Sequence, residues 1–266
     1  MKLLFLTNLR NGDPEEDQYL IGLLEKFFEI VVSHTLDCKQ HLSFVQGVII
    51  RNIWPTHEYQ AEWELLKRQI TALGILTYNP LVGKGDNGGK SYLLTLYQKG
   101  FPVIPSVDTV EDLAMLPEST LYWIKPKQGC DGSGARTENK TELLRSAPQN
   151  CIIQPYVEFV SEPSFFFIDN VFAYAITTSN RLTDQNVHPY KPTSEDLEFA
   201  QKFVDWNALP CGIQRVDAVR TKDGKLLLTE VEDIAGYLYL LDLEDEERNR
   251  VAMLLVDSIG KFFANH

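Results

Sequence analysis

Three carboxylates and one guanidinium stand at alternate positions in two neighbouring runs of β-forming residues: Arg215 and Asp217 in the first, Glu230 and Glu232 in the second. Asp223-Gly224 between the runs is a strong hairpin signal. A two-residue loop there predicts that Lys222 faces Lys225, Asp217 faces Glu230 and Arg215 faces Glu232. Strand side chains alternate, so the four charged groups share one face, extended by Val219, Leu226 and Leu228, while Val216, Ala218 and Val231 point to the other. Carboxylates this close raise one another's pKa unless a cation sits between them, and hard oxygen ligands of this kind suit Mg²⁺. A solvated hairpin with a single Arg215 to Glu232 pair would use the same residues, and the rest of the chain decides between the two.

Lys125 ends an apolar strand and is followed by Pro126-Lys127-Gln128-Gly129-Cys130-Asp131-Gly132-Ser133-Gly134-Ala135. Small residues let backbone amides approach phosphate oxygens, and the lysine supplies compensating charge. The loop fits neither G-x-x-x-x-G-K-[ST] nor G-x-G-x-x-G, and glycine clusters also make ordinary turns. Arg10, Arg51 and His188 fall in loops, either facing a substrate carboxylate or solvated. His34, His41 and His57 show no ligand spacing. Trp123, Tyr156 and Phe165 to Phe167 suit an adenine pocket or, as alternating strand aromatics, a core.

The elements that would position these groups form two regimes. Strand and helix alternate first: strands at Lys2–Leu6, Ile30–Ser33 and Gly47–Ile50, helices near Glu16–Phe28 and Tyr59–Leu73, the second with Trp63, Leu66, Ile70 and Leu73 at helical spacing. Asn79–Gly89, rich in Asn, Pro and Gly, predicts a linker or mobile loop. A helix near Lys90–Gln98 follows, then extended Phe101–Pro105. From Leu121 onward strands dominate, at Leu121–Lys125, Cys151–Gln154 and Ser164–Thr178 broken at Asp169-Asn170, with helices near Glu138–Arg145, Ser194–Trp206 behind a Thr193/Asp196 capping box, and Glu244–Phe263. Asn180–Pro192 predicts a second mobile loop.

The chain has 266 residues and a net charge of -12, enough for one large domain or several small lobes, and its acidity argues against nucleic acid as a partner. A phosphate-bearing ligand must therefore be held by local lysines or a metal. Cys38, Cys130, Cys151 and Cys211 make no metal-binding spacing, which predicts a reduced, cytoplasmic protein. Met1–Leu6 begins like a signal peptide, but Thr7–Asp13 ends the apolar run, and no run approaches the roughly 20 residues that span a bilayer.

In chain order, Lys90–Leu93 with Gly100–Pro105, Trp123–Pro126 with its glycine loop, Ile152–Val157, Ser161–Ser164, Arg215–Asp217 and Glu230–Glu232 together resemble the ATP-grasp superfamily. The likeness is greatest to the branch of glutathione synthetase, ribosomal-protein glutamate ligase and D-alanine:D-alanine ligase, and Arg51–Trp54 is fainter in its similarity to D-cycloserine-forming ligases. The resemblance implies an ATP-grasp fold, α/β and α+β, with an N-terminal α/β lobe (1–80), a central lobe (81–154) and a C-terminal lobe (155–266) that sandwich ATP. It implies phosphate contacts from Lys90 and Lys125, a loop over the triphosphate at Gly132, Ser133 and Gly134, an adenine hinge at Gln154, Pro155, Tyr156 and Val157, and ribose binding by Glu162. Asp217, Glu230 and Glu232 would hold two Mg²⁺ ions, with Mn²⁺ as a substitute, and Arg215 would stabilise the acyl phosphate and tetrahedral species. Glu232 stands where asparagine is common, Asp233–Tyr237 replaces an Asn-x-x-Pro-Gly tail, and Gly89 precedes Lys90 in place of aspartate. The implied activity is ATP-dependent ligation of a small-molecule or amino-acid carboxylate to an amine, with an ATP-grasp kinase and a non-catalytic nucleotide-binding regulator as rivals. Neither nucleic acid nor membrane is an expected partner, and the oligomeric state and both substrates stay open.

Overall fold

The computed structural model describes residues 1–8, 15–54, 56–129, 132–180, 186–234 and 236–265. Its N-terminal part comprises β1 (Lys2–Leu6), α1 (Glu15–Leu24), β2 (Glu29–Ser33), β3 (Gly47–Ile50), α2 (Gln60–Ala72) and β4 (Leu76–Tyr78), with the strands parallel in the order β2-β1-β3-β4. The unbroken apolar run of β1 follows from burial on both faces. Leu4 and Leu6 pack with Trp63, Leu66 and Ile70 of α2, whereas Leu3 and Phe5 pack with Leu20 and Leu24 of α1.

The expected linker at Asn79–Gly89 is instead a packed segment. Asn79 accepts from the Ile213 N–H at 2.8 Å and donates to the Asp233 carbonyl at 2.9 Å. The wholly buried Asp233 carboxylate accepts from the N–H groups of Gly85 and Asn87 at 2.7 and 2.9 Å. A Cβ at Gly83 would lie 2.1 Å from Asp233 Oδ2, so glycine there permits close approach rather than mobility. The polar composition is satisfied by the protein instead of by water. The next helix, α3 (Tyr92–Gln98), starts two residues later than expected.

A three-stranded antiparallel sheet follows, with β5 (Leu121–Pro126) between β6 (Arg136–Asn139) and, after α4 (Lys140–Ser146), β7 (Cys151–Pro155). The remaining elements are β8 (Phe159–Ile168), β9 (Val171–Thr178), β10 (His188–Pro189), α5 (Ser194–Asn207), β11 (Ile213–Thr221), β12 (Leu226–Glu232) and α6 (Asp245–Ala264), with sheet order β10-β9-β8-β11-β12. Thr193 and Asp196 form the expected reciprocal cap of α5. The second predicted mobile loop falls partly outside the described residues, and His188 and Pro189 within it pair with β9. One face of the sheet packs Phe165, Phe167, Val216 and Ala218 against α3 and α5. Its other face carries Phe166 and Tyr174 into a core shared with α1, α6 and the N-terminal sheet. Among the described residues no helix is long and apolar enough to cross a membrane.

The β11–β12 hairpin departs from a two-residue loop. Thr221 and Lys225 close the turn, through Thr221 N–H to Lys225 carbonyl at 2.9 Å, leaving Lys222-Asp223-Gly224 as a three-residue loop with Gly224 at φ 87°. Lys222 therefore does not face Lys225. The register shifts between Asp217 and Ala218, with Thr229 as the extra residue, so that Asp217 still faces Glu230 and Arg215 still faces Glu232. Leu226 and Leu228 lie consequently with Val216 and Ala218 in the core, not beside the charged groups as the simple alternation predicts.

Candidate active site

Two rows of side chains run across three strands on one sheet face: Ser164, Asp217 and Glu230, then Phe166, Arg215 and Glu232. Arg215 is 7% exposed. Its Nε lies 3.0 Å from each Asp217 oxygen, Nη2 donates to Asp217 Oδ2 at 2.9 Å, and Nη1 donates to the Tyr237 carbonyl at 2.8 Å. Ser164 also donates to Asp217. Glu232 sits 3.6 Å from Arg215. Burial opposes the charge on Arg215, but Asp217 and Glu232 outweigh it and raise the guanidinium pKa. Burial and then Asp86 push the Glu232 carboxyl up to about 8.

Lys90 reaches this face from the edge of β12. Its ammonium lies 2.6 Å from Asp86 Oδ2 and 2.9 Å from Glu230 Oε1, and these carboxylates raise its pKa against burial. Burial likewise opposes ionisation of Glu230, yet Lys90 and Lys125 hold its pKa low. The Tyr92 hydroxyl donates to Asp86 Oδ1 at 2.8 Å and accepts from the Val231 N–H at 2.7 Å, tying Asp86 to the strand between Glu230 and Glu232. Asp86 is thus a site residue that the sequence reading missed; its four-residue offset from Lys90 was the available signal.

The three-stranded sheet supplies the opposite wall. Lys90 N–H bonds to the Lys127 carbonyl at 2.9 Å, docking β5 against the cluster. Lys125 is half-buried, its ammonium makes no hydrogen bond or ion pair among the described residues, and its pKa is lowered by burial, with Glu230, Lys90, Asp86 and Glu162 as its charged neighbours. Glu162 lies on β8, one position in from the strand's Ser161. On β7, Ile153 turns its N–H and carbonyl away from β5 to bridge Val107. Strand alternation turns the Pro155 carbonyl to that same edge, whereas the Tyr156 N–H is taken by the Leu121 carbonyl at 2.9 Å. Gln154 is buried, its amide donating to Ser106 Oγ at 2.9 Å, and Tyr156 is exposed.

Gly132, Ser133 and Gly134 form an exposed turn beyond β5, with φ of 70° and 72° at the two glycines; residues 130 and 131 lie outside the described residues. Arg10 also lies outside them. Arg51 is not solvated: it is 2% exposed and pairs with Glu16 at 2.8 Å and Asp17 at 3.5 Å. His188 is exposed. Phe165, Phe166 and Phe167 are core residues, and Trp123 is half-buried.

One carboxylate oxygen from each of Asp86, Glu230 and Glu232 lies within 4.8 Å of the others. Glu232 Oε2 is buried without a hydrogen-bond partner. Hard anionic oxygens at this density, one of them orphaned, fit a divalent cation such as Mg²⁺. Asp217, by contrast, is already engaged by Arg215 and Ser164.

No protein-family model matches the chain, and no curated protein matches it. Solved structures do. D-cycloserine synthetase DcsG is 22% identical with a TM-score of 0.79, covering 97% of this chain and 99% of that one. D-alanine–D-alanine ligase from Bacillus anthracis complexed with ATP is 14% identical with a TM-score of 0.68, over 100% and 99%. The ATP-grasp ligase PsnB, complexed with a phosphomimetic variant of its minimal precursor, Mg and ADP, is 14% identical with a TM-score of 0.65, over 97% and 98%. With its three sheets in this arrangement along the whole chain, the protein has the ATP-grasp fold.

Proposed function

We propose that the protein is an ATP-dependent carboxylate–amine ligase working through an acyl phosphate. The observation that carries this reading is a pair of unmet polar groups on facing walls: Glu232 Oε2 is buried without a hydrogen-bond partner, and the Lys125 ammonium is half-buried without a hydrogen bond or ion pair among the described residues. A metal–triphosphate meets both needs at once. Lys125 offers three donors to phosphate oxygens, while Lys90, two of whose donors go to Asp86 and Glu230, offers one. The Pro155 carbonyl accepts from the adenine amine, the Val157 N–H donates to the ring, and Glu162 accepts from the ribose. Gly132, Ser133 and Gly134 cover the phosphates. Glu230 and Glu232, with Asp86 and Asp217 beside them, hold Mg²⁺, which neutralises phosphate charge when bound.

Transfer of the γ-phosphoryl to a substrate carboxylate breaks the terminal phosphoanhydride and releases ADP; attack by an amine then expels phosphate. Arg215 stabilises the negative charge that moves onto oxygen in the acyl phosphate and the tetrahedral species, fixed for this by Asp217 and the Tyr237 carbonyl. Closure of the β5–β7 wall over the site excludes the water that would hydrolyse the intermediate. A screen of amino acids and small carboxylic acids with Mg²⁺ and ATP tests the reading: ADP and phosphate should appear together, dependent on an acid and an amine. ADP with a stable phosphorylated product would make the protein a kinase instead, and nucleotide binding without turnover would make it a regulator.

A further inference from the structure

The Arg215 guanidinium is oriented partly from the N-terminal lobe. The carbonyl that receives its Nη1 belongs to Tyr237, and residues 236–239 have no regular structure, so strand pairing does not fix that carbonyl. A buried ion pair holds the backbone on both sides of it. Arg51 Nη1 donates to the Gly236 carbonyl at 3.0 Å while Nη2 donates to Glu16 Oε1 at 2.8 Å. Glu16 accepts from the Leu238 N–H at 3.0 and 3.1 Å through its two oxygens, and from the Leu240 N–H at 3.4 Å. Asn52 donates to the same carboxylate at 3.1 Å. Glu16 and Arg51 are 0% and 2% exposed, and these bonds use both oxygens of Glu16 and both terminal nitrogens of Arg51. They leave Glu16 no free oxygen for a substrate.

A buried ion pair by itself is poor evidence of a stabilising role, because apolar replacements of the same volume are often neutral. Here its donors and acceptors converge on the residues flanking Tyr237. We propose that Glu16 and Arg51 are positioning residues: they fix the Tyr237 carbonyl, and through it the angle at which Arg215 meets the reacting oxygen. The kinetic consequence rests on the catalytic role of Arg215; the positioning itself does not.

Glu16→Gln is the sharper variant, because Asp17, 3.5 Å from Arg51 Nε, still compensates the guanidinium while the new amide N–H₂ opposes the Leu238 and Leu240 N–H groups. In the unliganded protein the Arg215 Nε–H resonance, assigned by its loss in Arg215→Met, should shift and exchange faster with water. An unchanged resonance overturns the proposal. In steady-state assays kcat should fall about 10- to 100-fold, the cost of a small misplacement of a reacting group, with KM for ATP unchanged. Adding Glu16→Gln to Arg215→Met should then cost nothing further. A full independent loss in that background would show that Glu16 acts elsewhere, and would overturn the proposal. If Arg215→Met alone leaves turnover intact, the catalytic reading of Arg215 fails and the resonance alone decides the positioning. Arg51→Lys, which keeps the charge but cannot reach Gly236 and Glu16 together, takes the same measurements should Glu16→Gln not fold.

Discussion

Replacing Tyr92 by Phe deletes one oxygen and two hydrogen bonds while sparing the packing of the ring. That ring is 8% exposed and lies 5.4 Å from Trp206, contacts that phenylalanine keeps. The hydroxyl's two partners, Asp86 Oδ1 and the Val231 N–H, are both buried. An unsatisfied buried N–H costs about 1–3 kcal/mol, and a hydrogen bond to a charged group contributes about 1.5–3 kcal/mol. Asp86 retains Lys90, so the lower part of the summed range applies, about 2.5–4 kcal/mol. For a chain of this size each kcal/mol shifts Tm by roughly 2–4 °C, which makes the expected fall about 5–15 °C. Urea unfolding should show a lower midpoint with an unchanged slope. A loss of less than about 1 kcal/mol would mean that the hydroxyl does not bridge Asp86 to β12, and the assignment of Asp86 to the site would lose its anchor.

Lys125→Ala should weaken MgATP binding about 10- to 100-fold by calorimetry, without lowering the Tm of the unliganded protein, because the ammonium it removes is half-buried and unpaired. Equal affinity in the variant would remove Lys125 from the site. With the Glu232 carboxyl pushed up to about 8, Mg²⁺ affinity should rise with pH until about 8 and then level, since the ion displaces the proton. Unliganded stability should move the other way, falling as pH climbs from the ordinary carboxyl range towards 8, because the folded state holds that proton more tightly than the unfolded chain. Glu232→Gln should flatten both curves, and pH-independent Mg²⁺ binding in the parent protein would contradict the site. Gly83→Ala, which places a Cβ 2.1 Å from Asp233 Oδ2, should cost about 1–3 kcal/mol in thermal unfolding; a neutral result would show that the segment before Asp86 is loosely held.

The site was legible in the sequence wherever local periodicity fixed it. Alternation on β11 and β12 put Arg215 opposite Glu232 and Asp217 opposite Glu230, and the structure pairs them so. That success concealed two compensating departures, the three-residue turn and the extra Thr229, which moved Leu226 and Leu228 into the core; turn geometry depends on tertiary twist that composition does not encode. Asp86 escaped because Asn79–Gly89 has the composition of a linker, and only long-range partners, Asp233 and Ile213, reveal it as buried. Arg51 escaped for the same reason: the carboxylates that bury it, Glu16 and Asp17, stand about thirty-five residues away on α1. Helix caps such as Thr193 with Asp196 were readable because donor and acceptor are three residues apart.

Oxygen transfer tests the ligase reading most directly. Amino acids and small carboxylic acids labelled with oxygen-18 in the carboxylate, supplied with Mg²⁺, ATP and an amine pool, should yield inorganic phosphate carrying one labelled oxygen per turnover, because the acyl phosphate breaks at the original carboxylate oxygen. Unlabelled phosphate, or AMP with pyrophosphate in place of ADP, would contradict phosphoryl transfer to a carboxylate and with it the central role assigned to Arg215 and the carboxylate face.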